Sequence, residues 1–256
     1  MGMKDESKRL QEEGLFRALA KGSASEVSNL LSLGVDIKAK DWAGSPVAAM
    51  AIVSSRAGNA ECLKILIKSG CDIEARDSGD ATPVIVAARA GRLECLKILI
   101  ESGCDIEPHS RRIDSALIAA IRGGHTECMK TLIKSGCNIE ARNAYGETAL
   151  IVAAVFMEPG GLKVLVNAGC DLDVRTNEGM TAAMLVVGSN RVECLEILMA
   201  AGVDLALKNK EGKTALSIAK RLGYDACAAL IQVELEAREI SKAAHPASCT
   251  KKRPGL

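Results

Sequence analysis

Apolar residues recur along this chain in short bursts at helical spacing. In the stretch that begins at Glu61, Leu63, Leu66 and Ile67 fall on one stripe of a helix, and Gly70 closes the burst. Nearly the same segment then returns. ECLKILIKSGCDIEARD starts at Glu61, ECLKILIESGCDIE at Glu94, ECMKTLIKSGCNIEARN at Glu127 and ECLEILMAAGVDLALKN at Glu193, with a looser copy, GLKVLVNAGCDLDVRT, from Gly161. The closing glycines are Gly34, Gly70, Gly103, Gly136, Gly169 and Gly202, at intervals of 36, 33, 33, 33 and 33. A left-handed C-cap at each is inexpensive only for glycine. Twelve residues further on stand Thr82, Ser115, Thr148, Thr181 and Thr214, good N-caps for the next helix. Short alanine-rich runs such as TPVIVAARAG and TALIVAAVF follow them. Each period therefore predicts an extended turn, a short helix and a second, more apolar helix. One such pair cannot hide its apolar face alone, but stacked copies bury a thin continuous core.

With the pair before Gly34 included (GLFRALAKG and SEVSNLLSL), about seven stacked helix pairs are expected. Residues 1–37 read as an N-terminal capping pair, 38–205 as five repeats, 206–243 as a C-terminal capping repeat and 244–256 as a disordered tail. The last helix is expected over Tyr224–Ala243, with Glu234, Glu236, Arg238 and Glu239 on a polar outer side. Two repeats break the rhythm. Three extra residues fall near Ser54–Ala60, and Met157–Gly161 replaces the usual Arg-x-Gly-x-x-Glu-Cys run. Pro159 suits the first turn of a helix, so a second helix is expected to restart there. Each irregularity reads either as drift in a tolerant loop or as a partner-specific bump.

Thr82-Pro83-Val84-Ile85-Val86-Ala87, with Thr148-Ala149-Leu150 and Thr214-Ala215-Leu216, resembles the Thr-Pro-Leu-His-x-Ala signature of the ankyrin repeat, whose period is 33. The Gly-Cys-Asp and Gly-Val-Asp turns are similar to that family's Gly-Ala-Asp. The resemblance runs over residues 8–235. It implies an all-α ankyrin-repeat solenoid with short β-turn loops, and a concave binding surface made by the projecting turns and the exposed side of each first helix. One departure is consistent: Ala49, Ile85, Ile118, Ile151, Met184 and Ser217 stand where the family has histidine. That removes a local hydrogen bond per repeat while leaving an apolar filling of much the same size.

Composition agrees with a thin stack. Aromatic residues are only 2% of the chain, namely Phe16, Trp42, Tyr145, Phe156 and Tyr224, although apolar residues make up 48%. Net charge is +1, so no global field draws the protein to nucleic acid or a membrane. No stretch has the length of a transmembrane helix. The charged start MGMKDESKRLQEEG is no secretory signal, and Glu6 stands where myristoylation wants Ser or Thr. Ten cysteines in such a chain imply reduced thiols and a cytoplasmic location.

The chemistry-bearing residues recur in register, which argues against a catalytic or metal site. Cys62, Cys95, Cys128 and Cys194 share one register; Cys71, Cys104, Cys137 and Cys170 share another. No Cys-x-x-Cys pair occurs, and His109, His125 and His245 are scattered, so the thiols read as small core hydrophobes rather than zinc ligands. Glu61, Glu94, Glu127 and Glu193 open second helices, where a carboxylate meets the positive end of the helix dipole. The pairs Gly123-Gly124 and Gly160-Gly161 sit in inter-helix turns and are not phosphate cradles. No catalytic residue, cofactor or metal is expected.

Positions that vary between repeats are free to recognise a partner. The resemblance places these eight, nine and eleven residues after each closing glycine, on the turns, and nineteen and twenty after it, on the first helices. The turns contribute Trp42, Ser78, Arg111, Arg112, Asp114, Tyr145, Glu147, Asn177, Glu178, Lys210 and Lys213; the first helices contribute Arg89, Arg122, Phe156 and Arg221. Aromatics and Arg dominate interface energetics. Arg89 and Arg122 are neighbours on adjacent repeats, and with Arg111 and Arg112 they read as a local basic patch suited to carboxylates on a protein partner. The function expected is a protein-protein interaction scaffold: an adaptor, an inhibitor or a sequestering factor. A toxin-neutralising immunity protein and a host-targeting effector are variants of it. An enzyme built on the irregular fourth repeat and a nucleic-acid binder are the alternatives from other classes; acidic residues among the basic ones weigh against the latter.

Overall fold

The structure, a computed structural model, describes residues 2–41, 44–53, 60–107, 114–156 and 159–244. Trp42, Arg111, Arg112, the insertion at 54–59, Met157 and Glu158, and the expected tail from 245 onward lie outside the described residues.

Among the described residues the chain forms fourteen helices and no strand, only isolated bridges at the turns, Lys40 with Pro46 and Arg175 with Thr181. They divide between two compact units, Met1–Cys170 and Asp171–Leu256. The first holds five pairs: α1 (Gly2–Lys21) with α2 (Ala24–Ser32), α3 (Val47–Val53) with α4 (Ala60–Lys68), α5 (Pro83–Arg89) with α6 (Leu93–Glu101), α7 (Ala116–Arg122) with α8 (Thr126–Lys134), and α9 (Ala149–Phe156) with α10 (Pro159–Asn167). First helices pack in one row, α1 on α3, α3 on α5, α5 on α7 and α7 on α9, and second helices α2, α4, α6, α8 and α10 pack in another. The second unit holds α11 (Ala182–Gly188) with α12 (Val192–Ala200) and α13 (Ala215–Leu222) with α14 (Asp225–Ala244), again with α11 on α13 and α12 on α14. Within each unit the helix pairs take the all-α, repeat-stacked layout that the period predicts.

The closing glycines work as expected, and their geometry explains one cysteine register. At the end of α6, Gly103 has φ +80 and its N–H bonds to Ile100 O at 3.0 Å, while Cys104 N bonds to Leu99 O at 3.2 Å. That is the paired bond pattern of a Schellman cap, which favours a small apolar residue after the glycine, packed back on the helix. The pattern recurs with Cys71 on Leu66, Cys137 on Leu132, Cys170 on Leu165 and Val203 on Leu198. These residues are buried, as are Cys62, Cys95, Cys128 and Cys194 in the first turns of the second helices. Burial pushes the thiols of Cys71 and Cys95 up to about 11 and those of Cys104 and Cys137 up to about 12. They stay protonated at neutral pH and fill space between layers.

N-capping is uneven. Ser115 accepts from Ile118 N and Thr181 from Met184 N, and Thr214 forms a capping box with Ser217. Ser217 is the one polar residue in the register where the family has histidine, and its hydroxyl also donates to Thr214 O at 2.8 Å. In two repeats with isoleucine there, Thr82 Oγ1 and Thr148 Oγ1 are buried without a hydrogen-bond partner among the described residues. Thr82→Val is therefore expected to change stability by less than about 0.5 kcal/mol, whereas Thr181→Val should cost about 1 kcal/mol. Urea denaturation of both variants checks the difference, and equal losses would contradict it.

Acidic side chains tie consecutive repeats together. Glu74 Oε1 accepts from Asp105 N at 2.8 Å and Glu107 Oε1 from Asn138 N at 3.0 Å; in the second unit Asp173 Oδ1 accepts from Asp204 N at 2.9 Å. α10 opens at Pro159, where the missing N–H has no helical role. The last helix departs from expectation in part. Glu236 and Glu239 are exposed, but Arg238 turns inward, donating to Val203 O at 2.8 Å and Met199 O at 3.5 Å while paired with Glu234 at 2.6 Å. Met199 O lies in the last turn of α12 and Val203 O just past its closing glycine, where the helix end carries partial negative charge, so a cation there is held by main-chain oxygens.

Candidate functional site

In the first unit, the turn between α8 and α9 is built on Asn143. Its Oδ1 accepts from Tyr145 N at 2.9 Å and from Glu147 N at 3.0 Å, which fixes the turn tip. Tyr145 is thereby carried outward and is 71% exposed. The same position recurs as Asp41, Asp77, Thr176 and Asn209, each accepting backbone N–H groups of its own turn.

Asn143 also reaches the preceding repeat. Its Nδ2 donates to Asp114 Oδ1 at 3.2 Å and to Glu147 Oε2 at 3.0 Å. Those two carboxylates hold Arg122, at the end of α7: Nε lies 2.6 Å from Asp114 Oδ2 and Nη2 3.7 Å from Glu147 Oε2. The Arg122 guanidinium then lies over the Phe156 ring, 4.8 Å from its centre, a cation-π contact that leaves the ring 54% exposed. All the charged members are half-buried, so the network is screened less than a surface ion pair.

This arrangement revises the expected basic patch. Arg122 is neutralised by Asp114 and Glu147, and Arg111 and Arg112 lie outside the described residues. Arg89, the last residue of α5, is exposed and makes no ion pair among the described residues. A hollow of about 330 Å³ separates the two arginines from the turn tip, lined by Ile85, Arg89, Asp114, Ala119, Arg122, Ala144 and Tyr145. Six of the residues singled out from the sequence, Arg89, Asp114, Arg122, Tyr145, Glu147 and Phe156, thus surround or support one place.

Next to Arg122 in sequence, Gly123 and the earlier Gly91 leave room for His125, which wedges between them. A Cβ on Gly91 would lie 2.5 Å from its ring, and a Cβ on Gly123 would lie 2.5 Å from the ring and 2.8 Å from Arg89 O. The requirement for glycine at 123 is steric, and Gly123-Gly124 serves the turn.

In the second unit, Asn177, Glu178, Lys210 and Arg221 are all exposed. The two turns abut, with Lys210 N donating to Glu178 O at 3.1 Å. A hydrogen bond from Thr176, then a backbone N–H, then the charge of Lys210 hold the Glu178 carboxyl below its usual range. Lys213 is ion-paired with Glu211.

Among the described residues, no three His, Cys, Asp or Glu side chains are grouped to hold a metal ion, and no helix is long and apolar enough to cross a membrane. Asn143 is the member of the network that the choice of variable positions misses. The recurrence of Asp or Asn at 41, 77, 143 and 209 is the signal that marks it.

A family model described as "Ankyrin repeats (3 copies)" matches residues 15–110, 107–176 and 156–240. The human ASB11 ankyrin repeat domain is similar in structure, with a TM-score of 0.72 and 25% identity, over 80% of this chain and 90% of that one. The ankyrin repeat domain of Bcl-3, described as a unique member of the IkappaB protein family, is similar with a TM-score of 0.74 and 22% identity, over 83% and 96% of the two chains. No curated protein matches the sequence.

Proposed function

This chain belongs to the ankyrin-repeat family, whose members are protein-binding and generally not enzymes, and we propose that it acts by occupancy, gripping a protein partner through the turns and first helices around Arg89, Tyr145 and Phe156. The observation that carries this reading is the placement of two exposed aromatic rings beside arginines, in a chain with only 2% aromatic residues. Large rings held in place by a hydrogen-bonded frame lose little entropy when a partner covers them. In this reading 38–205 presents the recognition surface and the helix pairs within 1–37 and 206–243 cap it. Asn177, Glu178, Lys210 and Arg221 add contacts from the second unit. The partner carries an acidic surface, and the setting is cytoplasmic, where an adaptor, inhibitor or sequestering factor works.

Photocrosslinking in native lysate tests this. With p-benzoylphenylalanine in place of Tyr145, one discrete protein adduct is expected; with it in place of Lys97, on the second helix of the α5–α6 pair, that adduct should be missing. Equal adducts at both positions, or none at 145, would contradict the reading.

A further inference from the structure

Arg89 and Arg122 occupy one register in consecutive repeats, 33 residues apart, yet their surroundings differ. Arg122 has three internal partners: Asp114, Glu147 and the Phe156 ring. One repeat earlier, the positions matching those partners are Ala81, Asp114 and Gly123. Ala81 is uncharged and 1% exposed. Asp114 is already engaged by Arg122 and Asn143. Gly123 carries no ring, and the direction its side chain would take is filled by His125 and by the main-chain oxygen of Arg89. Every interaction that satisfies Arg122 is thus missing or taken for Arg89, which stays exposed on the wall of the hollow.

The geometry points to this hollow as the seat of one carboxylate from the protein partner, an Asp or Glu side chain that does for Arg89 what Asp114 does for Arg122. This rests on the scaffold reading above. A guanidinium fork donates two parallel hydrogen bonds to a carboxylate. Ile85 and Ala119 form an apolar floor that lowers the local dielectric, and the exposed Tyr145 ring offers a platform for an apolar side chain next to the acid. Among the described residues the hollow offers one guanidinium without an internal ion pair, the complement of a monoanion, whereas a dianionic phosphate would place a further negative charge beside Asp114.

The test is an NMR titration of the full chain with three peptides: acetyl-Leu-Glu-Leu-amide, its Gln counterpart and its phosphoserine counterpart. The Glu peptide is expected to give saturable shifts at the backbone amides of Ala119, Ala144 and Tyr145 and at Arg89 Nε–H. The Gln peptide should bind about tenfold more weakly and the phosphoserine peptide no more tightly than the Glu peptide. Arg89→Gln should abolish the difference between Glu and Gln. Equal binding of the Glu and Gln peptides, tighter binding of phosphoserine, or no saturable shift at these groups overturns the assignment. The scaffold reading is judged apart from it: a partner adduct at position 145, without any preference for Glu over Gln, keeps the scaffold and removes the carboxylate seat.

Discussion

Gly123→Ala is expected to destabilise the protein by about 3 kcal/mol, although it adds a single methyl group. The new carbon would lie 2.5 Å from the His125 ring and 2.8 Å from Arg89 O. Neither obstacle yields easily. The other edge of the His125 ring is against Gly91, where a Cβ would again meet it at 2.5 Å, and the Arg89 carbonyl is main chain at the end of α5. Relief requires α5 and α7 to separate, which opens the packing of consecutive first helices. Gly160→Ala is the control: among the described residues, no atom beyond its chain neighbours and its own helix backbone lies within 4 Å of a Cβ there, and alanine is the better helix former, so stability should hold or rise slightly. Urea denaturation of the two variants checks this, and a Gly123→Ala midpoint equal to that of the unaltered protein would contradict it.

Asn143→Asp is expected to cost about 2–3 kcal/mol at neutral pH while barely changing the size of the side chain. The acceptor bonds to Tyr145 N and Glu147 N survive, but the amide that donates to Asp114 and Glu147 becomes a third carboxylate between them. The like charges raise the folded-state pKa of the new Asp above its unfolded value of about 3.9. The sign follows by linkage: the penalty from ionisation is missing below the unfolded pKa, grows as pH rises through it, and levels off above the folded pKa. Denaturation at pH 3.5 and pH 7.5, each against the unaltered protein, reads this directly. A penalty that does not depend on pH would contradict the placement of Asn143 between the two acids.

The fold was legible because its signals are local and repeated. A glycine with positive φ, a small apolar residue after it and a hydroxyl twelve residues on are each encoded within one period, and copies of the period confirm one another. The candidate site was legible only in part. Tyr145 and Phe156 stand out because they differ from their counterparts in other repeats, and Arg89 and Arg122 because arginine returns in one register of consecutive repeats. Which charges cancel does not stand out, since the partners of Arg122 lie eight, 25 and 34 residues away, at Asp114, Glu147 and Phe156. Arg238 leaves the outer side for a related reason. Helical spacing gives its face, but the main-chain oxygens of Met199 and Val203 that hold it inward belong to the preceding repeat.

The two arginines are unequal in their surroundings. Arg122 is a positioning residue for Phe156, and Arg89 is the cation left for a partner. Once the protein that crosslinks at position 145 is purified, its affinity should be measured by calorimetry against the unaltered chain, Arg89→Glu and Lys97→Gln. A loss of about tenfold or more is expected for Arg89→Glu with an unchanged urea midpoint, and no loss for Lys97→Gln. Affinity that survives Arg89→Glu, or that falls equally in both variants, would contradict it.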